Sequence, residues 1–243
     1  FNNAGHTEAF LKLRARGGRS GIVGVNIGAN KDSEDRIGDY VQGIRVFSGI
    51  ASYFTVNISS PNTPGLRGLQ SRGELQNLLE RLNAARGLQQ TRPPMLLKIA
   101  PDLGDEELHD IASSCAGGAV DGIIVSNTTL SRDHLRSALR GEQGGLSGAP
   151  LFELSTRVLA RLHALTGGRI PLVGVGGIGN AEQAWAKIEA GATLIQLYSA
   201  LVYRGPALVG DILEGLRKKL EAEGLTSLAS IVGRKAHHGG SGT

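Results

Sequence analysis

Six short apolar runs, rich in β-branched residues, punctuate the chain at positions 21–27, 53–58, 95–99, 122–125, 171–175 and 193–198. Within each run the hydrophobic residues are nearly continuous and do not alternate with polar ones. That is the pattern of parallel strands covered on both faces. Between the runs, apolar positions recur at helical spacing over 32–48, 71–86, 105–115, 154–165, 181–190 and 206–223. Leu75, Leu78, Leu79 and Leu82 form one such stripe, and Ser71 with Glu74 ahead of it reads as a capping box. Asn180 is the expected cap of the helix that starts at 181. Strand and helix alternate throughout, so the fold class is α/β with a parallel sheet.

A doubly wound sheet and a (β/α)8 TIM barrel both satisfy this alternation. Two features favour the barrel. Every strand ends in a polar or glycine-rich loop, as when all strands feed one site at their C-terminal ends. The last two loops, GVGGIGN (174–180) and YSALVYRG (198–205), also resemble the phosphate site that barrels build after strands 7 and 8. On that count the chain supplies strands 3–8, and strands 1–2 are expected in a segment upstream. Residues 1–232 are then the C-terminal portion of the barrel, and 233–243 (GRKAHHGGSGT) a flexible tail. The start, FNNAGHTEAF, fits the interior of a longer protein.

Composition narrows the picture modestly. Aromatic residues make up 4% of the 243 positions, so the core must be aliphatic, and many of the 36 glycines follow apolar runs, where turns and ligand loops need them. The net charge of +4 is spread along the chain without a basic stripe interleaved with aromatics, which argues against nucleic-acid binding. No run approaches the ~20 apolar residues of a membrane span. The single cysteine, Cys115, excludes an intramolecular disulfide or a cysteine metal cluster and is expected to be packed in a helix. His6, His109, His134, His163, His237 and His238 show no metal-ligand spacing at a strand end, so no metal site is expected. His109 and His163 read as helix-surface residues and Trp185 as core.

The second strand ends in VNISSPNTPGLRG, where Asn57, Ser59, Ser60, Asn62 and Thr63 crowd into seven positions and Pro61 and Pro64 stiffen the chain among them. The asparagines offer paired donors and acceptors suited to a planar amide or pyrimidine ring. A serine among them could move a proton if its surroundings activate it. A polar turn bonded to itself is the alternative. The third strand carries Lys98 inside LLKIAPD, where burial without a partner is costly, so an anion or electron-rich ring is the expected neighbour. The fourth repeats the polar ending with Ser126, Asn127, Thr128 and Thr129. The loop GEQGGLSGAPL (141–151) and the two final loops are candidate anion cradles of glycine and small residues. Asp102 and Glu142 are the nearest carboxylates, and nothing pairs them as an acid/base couple.

Taken together, GVNIGANK (24–31), VNISSPNTPGLRGLQ (56–70), LLKIAPDL (96–103), VSNTTLSR (125–132), GGLSGAPL (144–151), VGVGGIGNAEQA (173–184) and QLYSALVYRGP (196–206) resemble the dihydroorotate dehydrogenase family, specifically its class 2, in family order across nearly the whole chain. The resemblance implies an FMN-dependent flavoprotein oxidoreductase on a TIM barrel. It would oxidise (S)-dihydroorotate to orotate in pyrimidine (UMP) biosynthesis and pass electrons to a quinone. Ser60 matches the base of class 2, where class 1 has cysteine. Asn57, Asn62, Asn127 and Thr128 match substrate contacts, and Phe1 matches the last residue of a further substrate-binding stretch. Asn26, Asn57, Lys98 and Ser126 match contacts to the flavin ring. Gly148, Gly177, Tyr198 and Ser199 match its phosphate cradle. Ser126 and Ser199 stand where relatives often carry threonine, and the hydroxyl is kept. The class also implies peripheral membrane contact through an N-terminal segment, at the cytoplasmic face of a bacterial inner membrane or at the mitochondrial inner membrane. Three alternatives stand beside this reading: a class 1 enzyme with another acceptor, a flavin-free phosphate-binding isomerase or lyase, and a non-catalytic binding protein.

Overall fold

The computed structural model describes residues 4–63, 65–133 and 135–236. Its centre is a parallel sheet of six strands: β1 (Gly24–Ile27), β2 (Tyr53–Asn57), β3 (Met95–Ile99), β4 (Gly122–Val125), β5 (Leu172–Val175) and β6 (Ala192–Gln196). All neighbours pair in parallel, and their spatial order is the order of the sequence. A doubly wound sheet reverses direction at a switch point. This one never reverses, so right-handed crossovers place every connecting helix on the same face. The sheet is the arc of an α/β barrel. The two further strands of a (β/α)8 barrel are not among the described residues.

Register shows which residues face which way. Ile27, Val56, Leu97, Ile123, Leu172 and Ala192 lie in one row across the sheet. All are buried, and they point outward into the main core with helices α2 (Arg36–Phe47), α3 (Arg72–Gly87), α4 (Asp105–Ser114) and α5 (Phe152–Thr166). The neighbouring row is Asn57, Lys98, Ile124, Val173 and Leu194. It faces the concave side, where Leu96, Ile124, Val173 and Val175 form a small apolar cluster. β2 to β5 are thus covered on both faces, which explains their uninterrupted hydrophobicity. The outer strands differ: Asn26 on β1 is exposed, and Leu194 on β6 is 63% exposed.

A second core joins α6 (Ala181–Glu189), α8 (Ala207–Ala222) and the short turn Leu228–Ile231 around Trp185, Ile188, Leu208 and Ile212. Asn180 caps α6 as expected, accepting from the Gln183 amide at 2.8 Å. Ser71 stands at the N-cap of α3 but makes no side-chain cap bond, so the expected capping box does not form; the chain enters α3 straight from the 3-10 turn Leu66–Gln70. Two helices were not anticipated. α1 (His6–Ala15) has no fully buried residue and lays only Ala9, Phe10 and Leu13 partly against the core, a weak stripe, and α7 (Ser199–Arg204) occupies a stretch expected to be loop. Cys115 is buried at the end of α4, where desolvation pushes its thiol up to about 12. His109 is exposed, as expected. His163 is not a surface residue: its ring lies against Gly168, Gly191 and Gly233, because the chain folds back over the end of α5.

That return also anchors the start of the expected tail. Glu189, 3% exposed, takes hydrogen bonds from Arg234 at 2.5 Å and Lys235 at 2.7 Å, and the Lys235 amide donates to its carbonyl at 2.9 Å. Gly233–Ala236 are therefore fixed against α6; residues 237–243, including His237 and His238, lie outside the described ones. Burial raises the Glu189 carboxyl, but the bonds from Lys235 and Arg234 outweigh it, and the group sits below its usual range. Its contribution is present above the ordinary carboxylate pKa and lost as pH falls through the lowered one. Glu189→Gln should destabilise the protein by about 1–2 kcal/mol near neutral pH, a figure reduced because both cations reach solvent. Urea unfolding checks it: the deficit should shrink toward pH 3, and an unchanged midpoint at pH 7 would reject the anchor.

Candidate active site

The C-terminal ends of β3 to β6 surround a cavity of about 470 Å³. Lys98 reaches it from β3, Ser126, Asn127 and Thr128 from the end of β4, and Gln196 from β6. Lys98 is half-buried, and no hydrogen bond or ion pair engages its amine among the described residues. Desolvation holds its pKa below the usual lysine value. Gln196 Oε1 is buried without a hydrogen-bond partner. A buried amide oxygen and a desolvated amine thus share one concave surface, and among the described residues neither has a hydrogen-bond partner. The sequence carried a signal for Gln196 that was overlooked: a lone amide inside the apolar run TLIQLY is as conspicuous as Lys98 inside LLKIA.

The polar end of β2 forms the rim, bound to the end of β4. Asn57 Oδ1 accepts from Ser59 Oγ at 3.0 Å and from Asn127 Nδ2 at 3.2 Å, and Asn127 Nδ2 also reaches Ser59 Oγ at 3.0 Å. Behind them the buried Tyr40 hydroxyl donates to the Asn57 carbonyl at 2.6 Å, and desolvation pushes that phenol's pKa up. Ser59, fully buried, is committed to this triangle. Ser60 is half-buried, and its Oγ accepts from the Asn62 amide at 3.3 Å. Asn62 is exposed and lies beside Gly144, so the loop after β4 comes over the rim.

Arg67 clamps these loops. Its guanidinium donates to the Ser59 carbonyl at 3.4 Å, the Thr128 carbonyl at 3.2 Å and Asp102 at 2.9 Å. Asp102 also accepts from Thr129 Oγ1 and, at 3.2 Å, from the Leu130 amide. The loops after β2, β3 and β4 are thereby tied to one another, and Asp102 serves as an anchor. The sequence offered no cue for this role of Arg67, because the three loops lie far apart along the chain.

Glycines shape the remaining wall. Gly148 (φ 79°) and Gly177 (φ 75°) adopt left-handed backbone that other residues resist. A side chain at Gly177 would come 2.7 Å from the Phe152 backbone nitrogen. Ser199, at the start of α7, donates to Ser147 Oγ at 2.9 Å and stands beside Gly148. Tyr198, 58% exposed, precedes it. The loops after β4, β5 and β6 thus converge on one small-residue cradle within the same cavity.

The expected site residues fall into three groups. Lys98, Ser126, Asn127, Thr128, Gly148, Gly177, Tyr198 and Ser199 line the cavity. Asn57, Ser60 and Asn62 stand at its rim. Asn26, on β1, does not line it but is in register with Thr55, on the same face of the sheet as Asn57. Phe1 lies outside the described residues.

Fold and site together define an α/β-barrel protein with a cavity at the strand C-termini and a cradle of small residues after the last strands. The family model of dihydroorotate dehydrogenase matches residues 1–220. Two similar curated proteins, from Parvibaculum lavamentivorans and Brucella melitensis, bear the name dihydroorotate dehydrogenase (quinone). Each is 60% identical to this chain, over 96% and 95% of it and 66% and 65% of their own lengths. The chain therefore spans about two thirds of the curated relatives it matches. A crystal structure of DHODH from Eimeria tenella in complex with ferulenol superimposes with a TM-score of 0.91 at 32% identity, covering 96% of this chain and 69% of that one. The chain belongs to the dihydroorotate dehydrogenase family.

Proposed function

We propose that this protein oxidises (S)-dihydroorotate to orotate with FMN as its cofactor and a quinone as the final acceptor. One observation carries the reading: a single cavity combines the unpartnered Lys98 amine and Gln196 oxygen with a cradle of Gly148, Gly177 and Ser199, beside a rim of asparagines and serines. A volume of about 470 Å³ lies within the range of cofactor pockets. The cradle, closed to side chains at Gly177, fits a phosphate, and Lys98 with Gln196 fits the polar edge of a flavin ring.

When bound, FMN would supply the two-electron acceptor that no side chain provides. The chain's own residues do the rest. Gly148, Gly177, Tyr198 and Ser199 hold the phosphate, while Asn26, Asn57, Lys98 and Ser126 flank the ring. Lys98 offsets negative charge that develops on that ring, a fixed electrostatic contribution. Asn57, Asn62, Asn127 and Thr128 present donors and acceptors to the planar pyrimidine and its carboxylate, joined by Phe1. Ser60 Oγ takes the proton from C5 of the substrate while a hydride leaves C6; the Asn62 amide pointing at Oγ favours its anionic form. The quinone is proposed from the names of the curated relatives. No helix among the described residues is long and apolar enough to cross a membrane. Contact with the membrane that holds the quinone is proposed to be peripheral, through an N-terminal segment, at the cytoplasmic face of a bacterial inner membrane.

Anaerobic titration of the intact protein with dihydroorotate tests the reading. The flavin absorbance should bleach, and adding a soluble quinone should restore it. A protein that stays yellow would exclude this substrate, and one that is colourless and takes up no added FMN would exclude the flavin.

A further inference from the structure

Lys187 is fully buried yet has no part in the reaction above. It lies on α6, behind β5, with its stem against Gly174. Its Nζ donates to Ser155 Oγ at 2.6 Å and sits 5.3 Å from the centroid of the Phe152 ring. Ser155 in turn donates to the Leu151 carbonyl at 2.8 Å and lies 3.2 Å from the Gly176 carbonyl. Gly176 and Gly177 line the cavity, and Phe152 forms the floor beneath Gly177. One layer, made of Ser155 and the Gly176–Gly177 turn, therefore separates a buried amine from the anion cradle.

This is an unfavourable place for a cation. Burial drives the Lys187 amine down to about 7, and Glu153, exposed on α5, raises it only in part. The first turn of α5 adds the positive end of its helix dipole. Of the other charged groups on the elements around α6, Arg161 of α5 pairs with Asp105. Lys219 of α8 stacks over Trp185, and Arg234 and Lys235 bind Glu189. β5 and β6 offer it no charged side chain: their neighbouring residues are Gly174 and Ala192. A methionine would fill the same space without this cost. Among the described residues only the Ser155 hydroxyl and the Phe152 ring face the amine directly.

The geometry points to Lys187 as a positioning residue for phosphate: through Ser155 it sets the Gly176–Gly177 turn, and its positive charge behind the cradle couples binding of a phosphate-bearing flavin to a proton held on its amine. The inference rests on the flavin reading above and adds a residue and a pH dependence to it. The sign follows from linkage. A bound phosphate favours the charged amine and raises its pKa. Affinity is then full below about pH 7 and declines above it, by at most ~10-fold per pH unit, until the pKa of the liganded state is passed. The ligand's own phosphate, with a second pKa of ~6, gains charge in the opposite sense and does so in every variant alike.

The experiment strips flavin from the intact protein and titrates it with FMN and with riboflavin, which lacks the phosphate, between pH 6 and 9. Quenching of flavin fluorescence reports the affinity. The wild type should bind FMN several-fold more weakly at pH 9 than at pH 7, with riboflavin unaffected. Lys187→Met should lose about tenfold in FMN affinity at pH 6.5, equivalent to roughly one pKa unit of coupling, and lose the decline above pH 7. It should also raise the unfolding midpoint of the flavin-free protein at neutral pH, which removal of a merely structural lysine would lower. If Lys187→Met does not fold, calorimetry of wild type with FMN in two buffers of different ionisation enthalpy decides. Net proton uptake between pH 7 and 8 supports the coupling, and none overturns it. FMN affinity that is flat from pH 7 to 9, or a Met variant with the wild-type slope, overturns this inference alone. Failure to bind either flavin at any pH overturns the flavin reading beneath it.

Discussion

Ser60→Ala should slow reduction of bound flavin by dihydroorotate by ~10²–10⁴-fold, the usual contribution of a positioned proton acceptor, while the protein stays yellow. Two adjacent serines end β2, and their environments separate their roles. Ser59 is fully buried, its hydroxyl spent on Asn57 and Asn127. Ser60 is half-buried at the rim of the cavity, and among the described residues no acceptor takes its proton. The Asn62 amide already points at its oxygen, as an anionic form needs. Ser59→Ala should behave differently. It loosens the Asn57–Asn127 pair, so the loss should fall mainly on KM. Stopped-flow reduction under anaerobic conditions distinguishes the two. An S60A protein that reduces its flavin at the wild-type rate would remove Ser60 as the base, and equal effects on kcat at both serines would assign the whole rim to packing.

The parts of the fold that were legible in the sequence are those dictated by local periodicity. β2 to β5 are buried on both faces, so their apolar runs are unbroken, and β3 and β4 span 95–99 and 122–125 as expected. β1 begins later than its apolar run and β6 ends earlier than its own because an outer strand lacks a partner on one side to extend its ladder. α1 and α7 have no fully buried residue and pack only partly on the cores, through Ala9, Phe10 and Leu13 and through Ala200 and Leu201, so each leaves only a weak stripe to read. The site divides in the same way. Residues that cap a strand with conspicuous polarity, Asn57, Ser60, Lys98 and Asn127, could be picked out one by one. Gln196 belongs with them, a lone amide in an apolar run, whereas Arg67 and Lys187 escaped for physical reasons. Arg67 acts through carbonyls of distant loops. Lys187 occupies a helix position that, read linearly, looks like a solvated face. Its burial comes from α5, 32 residues away at Ser155. Long-range assembly decides the role of such groups, and hydrophobic pattern carries little of it.

Lys98→Met should lower the rate of flavin reduction by ~10²–10³-fold, on the scale of removing one fixed electrostatic donor, and should weaken flavin binding as well. Methionine keeps the unbranched stem, so the change deletes charge with little loss of volume. Lys98 stands between Asn57 on β2 and Ile124 on β4, with the apolar Leu96 two residues back on the same face. Nothing in that surface neutralises it, and desolvation already lowers its pKa. Without an anion or an electron-rich ring against it, the cation is a net burden, so the flavin-free protein should be no less stable with methionine in place of Lys98: K98M should unfold at the same or a higher urea concentration than wild type. The two readouts must move in opposite directions, because one residue trades stability of the empty protein for charge stabilisation on the ligand. Urea unfolding of the stripped protein and stopped-flow reduction of the reconstituted one measure them separately. A K98M protein with normal flavin colour and normal reduction would show that the amine serves only the barrel wall. One that loses stability and activity together would assign Lys98 to the fold, and the electrostatic contribution would then have to come from Gln196 and the backbone of the loops.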